Sequence, residues 1–225
     1  MSNPRREMKK SSDHHHEWEK VERTLDDGFS YYYLICKVCH EVRFPARQLQ
    51  NLQDYSKAKL FIFVQDWVLL LLYAGHEYNR EYIAGITLYQ KMLFLIFHEF
   101  APKFDIPTEN PGFYGYKYGP YSSRIDSAIN FLIQQGYITT RGRRSSSFER
   151  FYITAKGKEK GKKIFDKLSN EQQRELVEFR MYWDQKGRGA ICKYIYAKPE
   201  YEVYLDKSLI LSDLFPGKTL HRRRG

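Results

Sequence analysis

YITTRGRRSSSFERFYITAKGKEKGKKI, Tyr137 to Ile164, is the stretch on which the reading of this 225-residue chain turns. YITTRGRR (Tyr137–Arg144) and ERFYIT (Glu149–Thr154) are β-prone runs joined by Ser145, Ser146, Ser147 and Phe148, the pattern of a hairpin. Thr154 stands where an N-cap is needed, ahead of a helix over AKGKEKGKKIFDKL. Between Thr139 and Lys163, five Lys and four Arg face two Glu, a local surplus of +7. The whole chain carries +10, so most of its excess charge sits in the hairpin and the following helix. Such a surface suits a polyanionic partner.

Working back from the hairpin, Ile125, Ala128, Ile129, Leu132 and Ile133 recur at helical spacing, with Ser122 or Ser123 as N-cap and Gly136 as the stop. The opposite face carries Ser123, Ser127, Asn130 and Gln134, with Arg124 at its edge. Upstream, Ala101–Pro120 holds four prolines and reads as a long connection with a short strand at FYGYKY, turned sharply by Gly119 and Pro120. TLYQKMLFLIFHEF (Thr87–Phe100) predicts a central helix ended by Pro102, and a helical pattern runs from about Ala46 to His76. Helix, helix, helix, hairpin, helix is the order of a winged helix-turn-helix, here an α+β chain that is mainly helical, with extra C-terminal helices.

In that architecture the outer face of the third helix and the wing meet a duplex. Ser123, Arg124, Ser127 and Asn130 are the candidates for base edges, and Arg141, Arg143, Arg144, Arg150 and Lys156 those for phosphates. The expected function is a DNA-binding transcriptional regulator. One departure counts against it: the link between second and third helices is about twenty residues, where a helix-turn-helix uses three or four. A loop that covers the third helix would leave a protein-interaction surface instead.

The pieces GITLYQKMLFLI (Gly85–Ile96), FYGYKYGPYSSRIDSAINFLIQQGYI (Phe113–Ile138), FYITAKGKEKGKKI (Phe151–Ile164) and KYIYAKPEYEVYLDKSLI (Lys193–Ile210) follow one another in an order that resembles the YwgA-like family of helix-turn-helix proteins. More distantly they are similar to the Panacea domain of SocA-type antitoxins. The resemblance spans about Phe61 to Ile210 and implies a winged helix that binds DNA or, as an antitoxin or adaptor, a protein partner such as a toxin.

The remainder divides by composition. Residues 1–28 read as a flexible polar arm, 29–59 as an N-terminal extension, 60–168 as the winged-helix domain, 169–211 as C-terminal helices and 212–225 as a basic tail. Ser169 and Gln172 form a capping-box pattern for a helix to about Trp183, KGRG (Lys186–Gly189) ends it, and a short helix follows through Ile191–Tyr196. These C-terminal helices are expected to make a homodimer or to pack across the monomer's own core.

CKVCH (Cys36–His40) is the sharpest chemical motif. As CxxCH it matches a c-type haem attachment site, which is formed outside the cytoplasm; as two thiolates on a tight turn it is half of a zinc site. Zinc prefers four ligands, and His40, the run His14–His16 or Cys192 would have to complete Cys36 and Cys39; the alternative is a pair of half-buried thiols on a strand. His76 and His98 read as satisfied structural histidines. No phosphate loop, HExxH, GxSxG or GxGxxG occurs, and the carboxylates Glu77, Glu81 and Glu99 do not by themselves specify chemistry, so the expectation is not an enzyme and no cofactor. The longest apolar runs, Trp67–Ala74 and Met92–Phe97, fall short of the ~20 residues of a membrane span, and the first thirty residues show no signal peptide, which points to a cytoplasmic protein with no membrane partner.

Overall fold

The computed structural model describes residues 15–25, 27–38, 42–58, 60–143, 146, 148–205 and 207–210. Cys39, His40, His14, Arg144 and the basic tail lie outside the described residues. Strands β1 (Trp18–Thr24), β2 (Ser30–Cys36) and β3 (Val42–Arg43) form an antiparallel sheet in that order. Helix α1 (Ala46–Ala58) packs on β2. The inward residues of this unit, Tyr31, Tyr33, Val42 and Leu52, gather with Phe61 and Phe63 into a small core of their own. Strand β1 corrects the expected boundary of the polar arm. Its charged alternation carries no apolar stripe, yet it pairs with β2 over all seven residues, and Lys20 lies 4.5 Å from the Tyr32 ring centroid. Cross-strand partners supply what the strand's own sequence lacks.

The helical pattern from Ala46 to His76 is broken in the structure. Leu60–Phe63 is extended, Ile62 bridges Thr108, and α2 begins only at Val64 and runs to His76. The break has a packing cause: Phe61 and Phe63 belong to the small core, whereas Ile62 between them belongs to the large one. Only a two-residue period can serve both sides. Helix α2 is the centre of the large core, with every residue from Trp67 to Gly75 buried. Next come β4 (Tyr82–Ala84), α3 (Ile86–Leu95), a π-helical turn (Ile96–Phe100) and the short α4 (Ala101–Lys103). Helical structure therefore continues past Pro102. The proline, which has no N–H to donate, falls at the start of a new turn just after the wide one, where that donor is not needed.

The connection to the third helix holds a hairpin, β5 (Tyr114–Tyr116) and β6 (Gly119–Tyr121). Then follow α5 (Ser123–Gln134), β7 (Ile138–Arg141), β8 (Arg150–Ile153) and α6 (Ala155–Phe165). Strands β4, β8 and β7 form one antiparallel sheet in that order. Ile83, Ile138, Phe151 and Ile153 point into the core from it. Ser122, Thr154 and Ser169 are the helix caps, each accepting a backbone N–H from the first turn of α5, α6 and α7 (Asn170–Ala197) respectively. The KGRG stop survives as a kink: Gly187 takes φ 74° inside α7, and the two expected C-terminal helices run on as one bent element, followed by a 3-10 turn at Pro199–Tyr204. The chain is thus α+β and mainly helical.

Helix α7 packs on α2 and α3 of the same chain. Its anchor is Arg180, whose side chain is 0 % exposed. The guanidinium donates from Nη1 to Tyr78 Oη (2.9 Å) and from Nη2 to the Tyr82 carbonyl (2.6 Å), and pairs with Asp184, which also accepts from Tyr78. Burial lowers the Arg180 pKa to about 10. Removing Asp184 strands a buried cation. Asp184→Ala is expected to cost about 3–5 kcal/mol in urea unfolding, whereas Arg180→Met combined with Asp184→Leu costs less than the single change because it removes both charges.

Candidate nucleic-acid interface

Helix α5 is fixed at its first turn before any outward face is presented. The Ser122 hydroxyl accepts the Ile125 N–H (3.2 Å) and donates to the Pro111 carbonyl (2.5 Å). Gln90 of α3 grips the same turn: its Nε2 donates to the Ser122 carbonyl (2.9 Å) and to Asp126 (2.7 Å), and its Oε1 accepts the Ser122 N–H (3.1 Å). Tyr121 donates to the other oxygen of Asp126. Three elements thereby set the axial position of α5.

The β5–β6 hairpin stands beside this helix and leaves its outer face open: Ser123, Ser127 and Asn130 are exposed. Gly119 turns the hairpin at φ +80°, and a Cβ there would lie 2.7 Å from the Tyr196 ring, so both the turn and the close approach demand glycine. Lys91 donates to the Pro120 carbonyl (2.6 Å) and Leu209 N–H to the Lys117 carbonyl (2.8 Å). Between this hairpin, α5 and the β7–β8 hairpin lies a cleft of about 580 Å3. Tyr118, Asn130 and Thr140 line it, with Lys91, Asp126 and Glu149 deeper in. The cleft therefore mixes charges of both signs, and Lys91 within it is buried.

The expected phosphate contacts collect elsewhere, on the outward face of the β4–β8–β7 sheet. Tyr82 and Tyr152 are cross-strand partners with ring centroids 5.2 Å apart. Arg141 lies 5.0 Å over Tyr152, while Arg80 and Arg150 lie 4.6 Å and 5.8 Å over Tyr82. Just before β7, Tyr137 receives Lys156 at 4.5 Å and Lys160 at 4.9 Å. Five cations are thus laid on three tyrosine rings, with Arg143 exposed at the adjoining turn. A guanidinium held over a ring by cation–π attraction can still turn N–H groups toward phosphate. Within the row Arg80 also pairs with Asp184 (3.9 Å) and Arg150 donates to the Glu149 carbonyl (3.1 Å), while on α6 Lys158 is paired with Glu81, Lys162 with Asp166 and Lys163 with Glu159. Arg80, Tyr82, Tyr137, Tyr152 and Lys160 were missed in the sequence, although Arg80 and Tyr82, like Arg150 and Tyr152, stand two apart, the spacing that puts strand residues on one face.

Arg124 does not present a free guanidinium. It pairs with Glu109, which is buried, and lies 5.6 Å over the Phe44 ring. The other Glu109 oxygen accepts the Val64 N–H at the start of α2 (2.9 Å). Burial raises the Glu109 pKa, opposed by Arg124 and the Val64 N–H. Arg124 is therefore a positioning residue that joins α5 to α2 through one carboxylate. Lys156 is also partly engaged, donating to the Gln135 carbonyl at the end of α5 (2.8 Å).

Of the three carboxylates Glu77, Glu81 and Glu99, the last two are held in side-chain hydrogen bonds. Glu81 binds Lys158 and His76, and Glu99 accepts from Lys198 (2.8 Å), Tyr201 (2.8 Å) and Tyr194 (3.0 Å). Cys36 is a buried thiol on β2, and Cys192 a buried one on α7, its pKa raised by burial. Among the described residues no three His, Cys, Asp or Glu side chains converge as a metal site, and no helix is long and apolar enough to cross a membrane. Comparison of the chain with protein-family models, curated proteins and solved structures gives no match.

Lys91 gives the cleft a pH signature. Burial pulls its pKa from the ordinary 10.5 to about 8, with Cys192 opposing the shift. Because the folded value lies below the unfolded one, the unfolded chain holds the extra proton between them, and the native state gains stability as pH rises from about 8 to 10.5. Lys91→Met should remove this gain. The unfolding free energies of the two proteins, from denaturant titrations, should diverge across that window by about 3 kcal/mol, the worth of such a shift.

Proposed function

We propose that the chain is a winged helix-turn-helix protein that binds double-stranded DNA as a non-enzymatic, cytoplasmic transcriptional regulator. The observation that carries this reading is the row of Arg and Lys side chains laid on Tyr82, Tyr137 and Tyr152. The fold assignment is supported by the order α2, β4, α3, α5, β7, β8 and by a sheet in which the first strand pairs with the last. In this reading the row and Arg143 dock on phosphates, which fixes the protein's register without reading sequence. Ser123, Ser127 and Asn130, exposed on α5, supply what base readout there is.

A second reading has its own observation. Tyr116 and Tyr118 are 42 % and 47 % exposed on the lining of the cleft, and rings left bare in one neighbourhood suit a protein partner, as an antitoxin or adaptor would use. The two readings separate by salt. Arg141→Ala, Arg143→Ala and Arg150→Ala together should reduce the slope of log K against log salt on duplex DNA by about 2 to 3, near 0.9 for each phosphate that is no longer neutralised. An unchanged slope rejects the sheet face as the DNA site. Ser127→Ala with Asn130→Ala should leave that slope alone and narrow only the preference for one sequence over another.

A further inference from the structure

A second cavity, of about 900 Å3, opens between the N-terminal sheet, the connection at 108–112 and the 3-10 turn after α7. It touches the cleft beside α5 only through Tyr116. Its size is at the upper end of the about 300–1,000 Å3 usual for small-molecule sites. The wall is built of rings: Tyr31, Phe97, His98, Phe113, Tyr114 and Tyr204 all line it.

Three of those rings carry polar ends that the fold leaves unused. His98 was expected to be a satisfied structural histidine, yet it makes ring contacts alone, at 4.2 Å to Phe94, 5.8 Å to Phe113 and 5.6 Å to Tyr204, and no hydrogen bond to another described residue. Burial pulls its pKa down to about 4, so near pH 7 the imidazole is neutral and offers one donor and one acceptor. The hydroxyls of Tyr31 and Tyr204 likewise have no hydrogen-bond partner among the described residues, and burial raises the pKa of both phenols. None of these polar atoms is sealed from solvent, so their donors and acceptors stand open to a ligand that enters the cavity.

The charges around the cavity choose the ligand class. Arg23 and Lys207 are exposed on its lining and place two cations there. Glu109, the lining carboxylate, is occupied by Arg124 and the Val64 N–H. A cationic ligand would meet like charge with no free anion to hold it, and an aliphatic one would leave the phenols and the imidazole unmet. A flat heterocycle that stacks, hydrogen-bonds along its edge and carries an anionic group outward satisfies all of these at once.

We propose that this cavity is a binding site for a mononucleotide, with the base among the Phe113, His98 and Tyr204 rings and the phosphate toward Arg23 and Lys207. The site stands apart from the basic sheet face and does not depend on DNA binding. Calorimetric titration of the full chain with AMP and with GMP should show saturable one-site binding of at least one of them with Kd below about 1 mM. Adenosine, guanosine and inorganic phosphate should bind at least about tenfold more weakly than that nucleotide, because each lacks half of the recognition. Tyr204→Phe removes one hydroxyl and should weaken binding about three- to tenfold. Arg23→Ala with Lys207→Ala, both at exposed positions, should weaken it about tenfold or more while leaving the thermal midpoint in place. The protein with Arg141, Arg143 and Arg150 replaced by Ala should bind the nucleotide as the unmodified protein does. The proposal is overturned if neither nucleotide binds at millimolar concentration, if the cavity variants bind like the unmodified protein, or if only the sheet-face variant loses binding.

Discussion

A helix with no polar face has to be covered on every side, and Trp67–Gly75 imposes that constraint on the whole chain. Helices α5, α6 and α7 each turn one face to α2 and keep the opposite face for solvent, whereas α3 is itself buried from Leu88 to Leu95. The basic helix α6 can approach only because its inward positions at helical spacing are glycines: a Cβ on Gly161 would stand 2.9 Å from Tyr73 Cβ, and one on Gly157 2.1 Å from the Tyr137 carbonyl oxygen. Its lysines are thereby turned outward, and Lys156 and Lys160 reach the ring of Tyr137. The distribution of surface charge is thus a consequence of how α2 is buried.

What could be read from the sequence was what is decided locally. Ser122, Thr154 and Ser169 cap their helices from the position immediately before the first turn, and Gly136 leaves α5 at φ 73°, because caps depend on a few neighbouring residues. The misread features depend on residues far along the chain. Nothing near Leu60–Phe63 announces that alternate side chains there belong to different cores, and the polar strand β1 owes its place to β2. Arg124 sits on an outward helical phase, but its partner Glu109 lies in an aperiodic connection. Helical phase shows which way a side chain leaves the helix; it does not show what loop waits there.

The candidate interface was half legible for the same reason. Arg141, Arg143 and Arg150 declare themselves by charge density in a short hairpin, but the rings beneath the row come from three places: Tyr152 on β8 takes Arg141, Tyr82 on β4 takes Arg150, and Tyr137 ahead of β7 takes Lys156. Pairing of β4 with β8 brings residues seventy positions apart into register, Tyr82 against Tyr152. Composition reveals that the chain is basic. Only the sheet register turns that excess into a surface with spacing and direction.

The stretches GITLYQK, YGPYS and YIYAKPEY look like separate motifs along the chain and meet at one place in the fold. Gln90 holds Ser122, Lys91 holds the Pro120 carbonyl, the Tyr196 ring covers Gly119, and Tyr194, Lys198 and Tyr201 close on Glu99 in the π-helical turn that follows α3. Burying Lys91 against a single carbonyl is unfavourable for its charge, and the low pKa it takes records that cost. A fold that tolerates such a group gains a fixed β5–β6 hairpin, and with it a fixed start for α5. These residues therefore set where α5 begins and how it is aimed, while the exposed Ser123, Ser127 and Asn130 lie outside all three stretches. Aim and contact are carried by different residues, so the outward face of α5 can change its chemistry without disturbing the contacts that hold the helix in place.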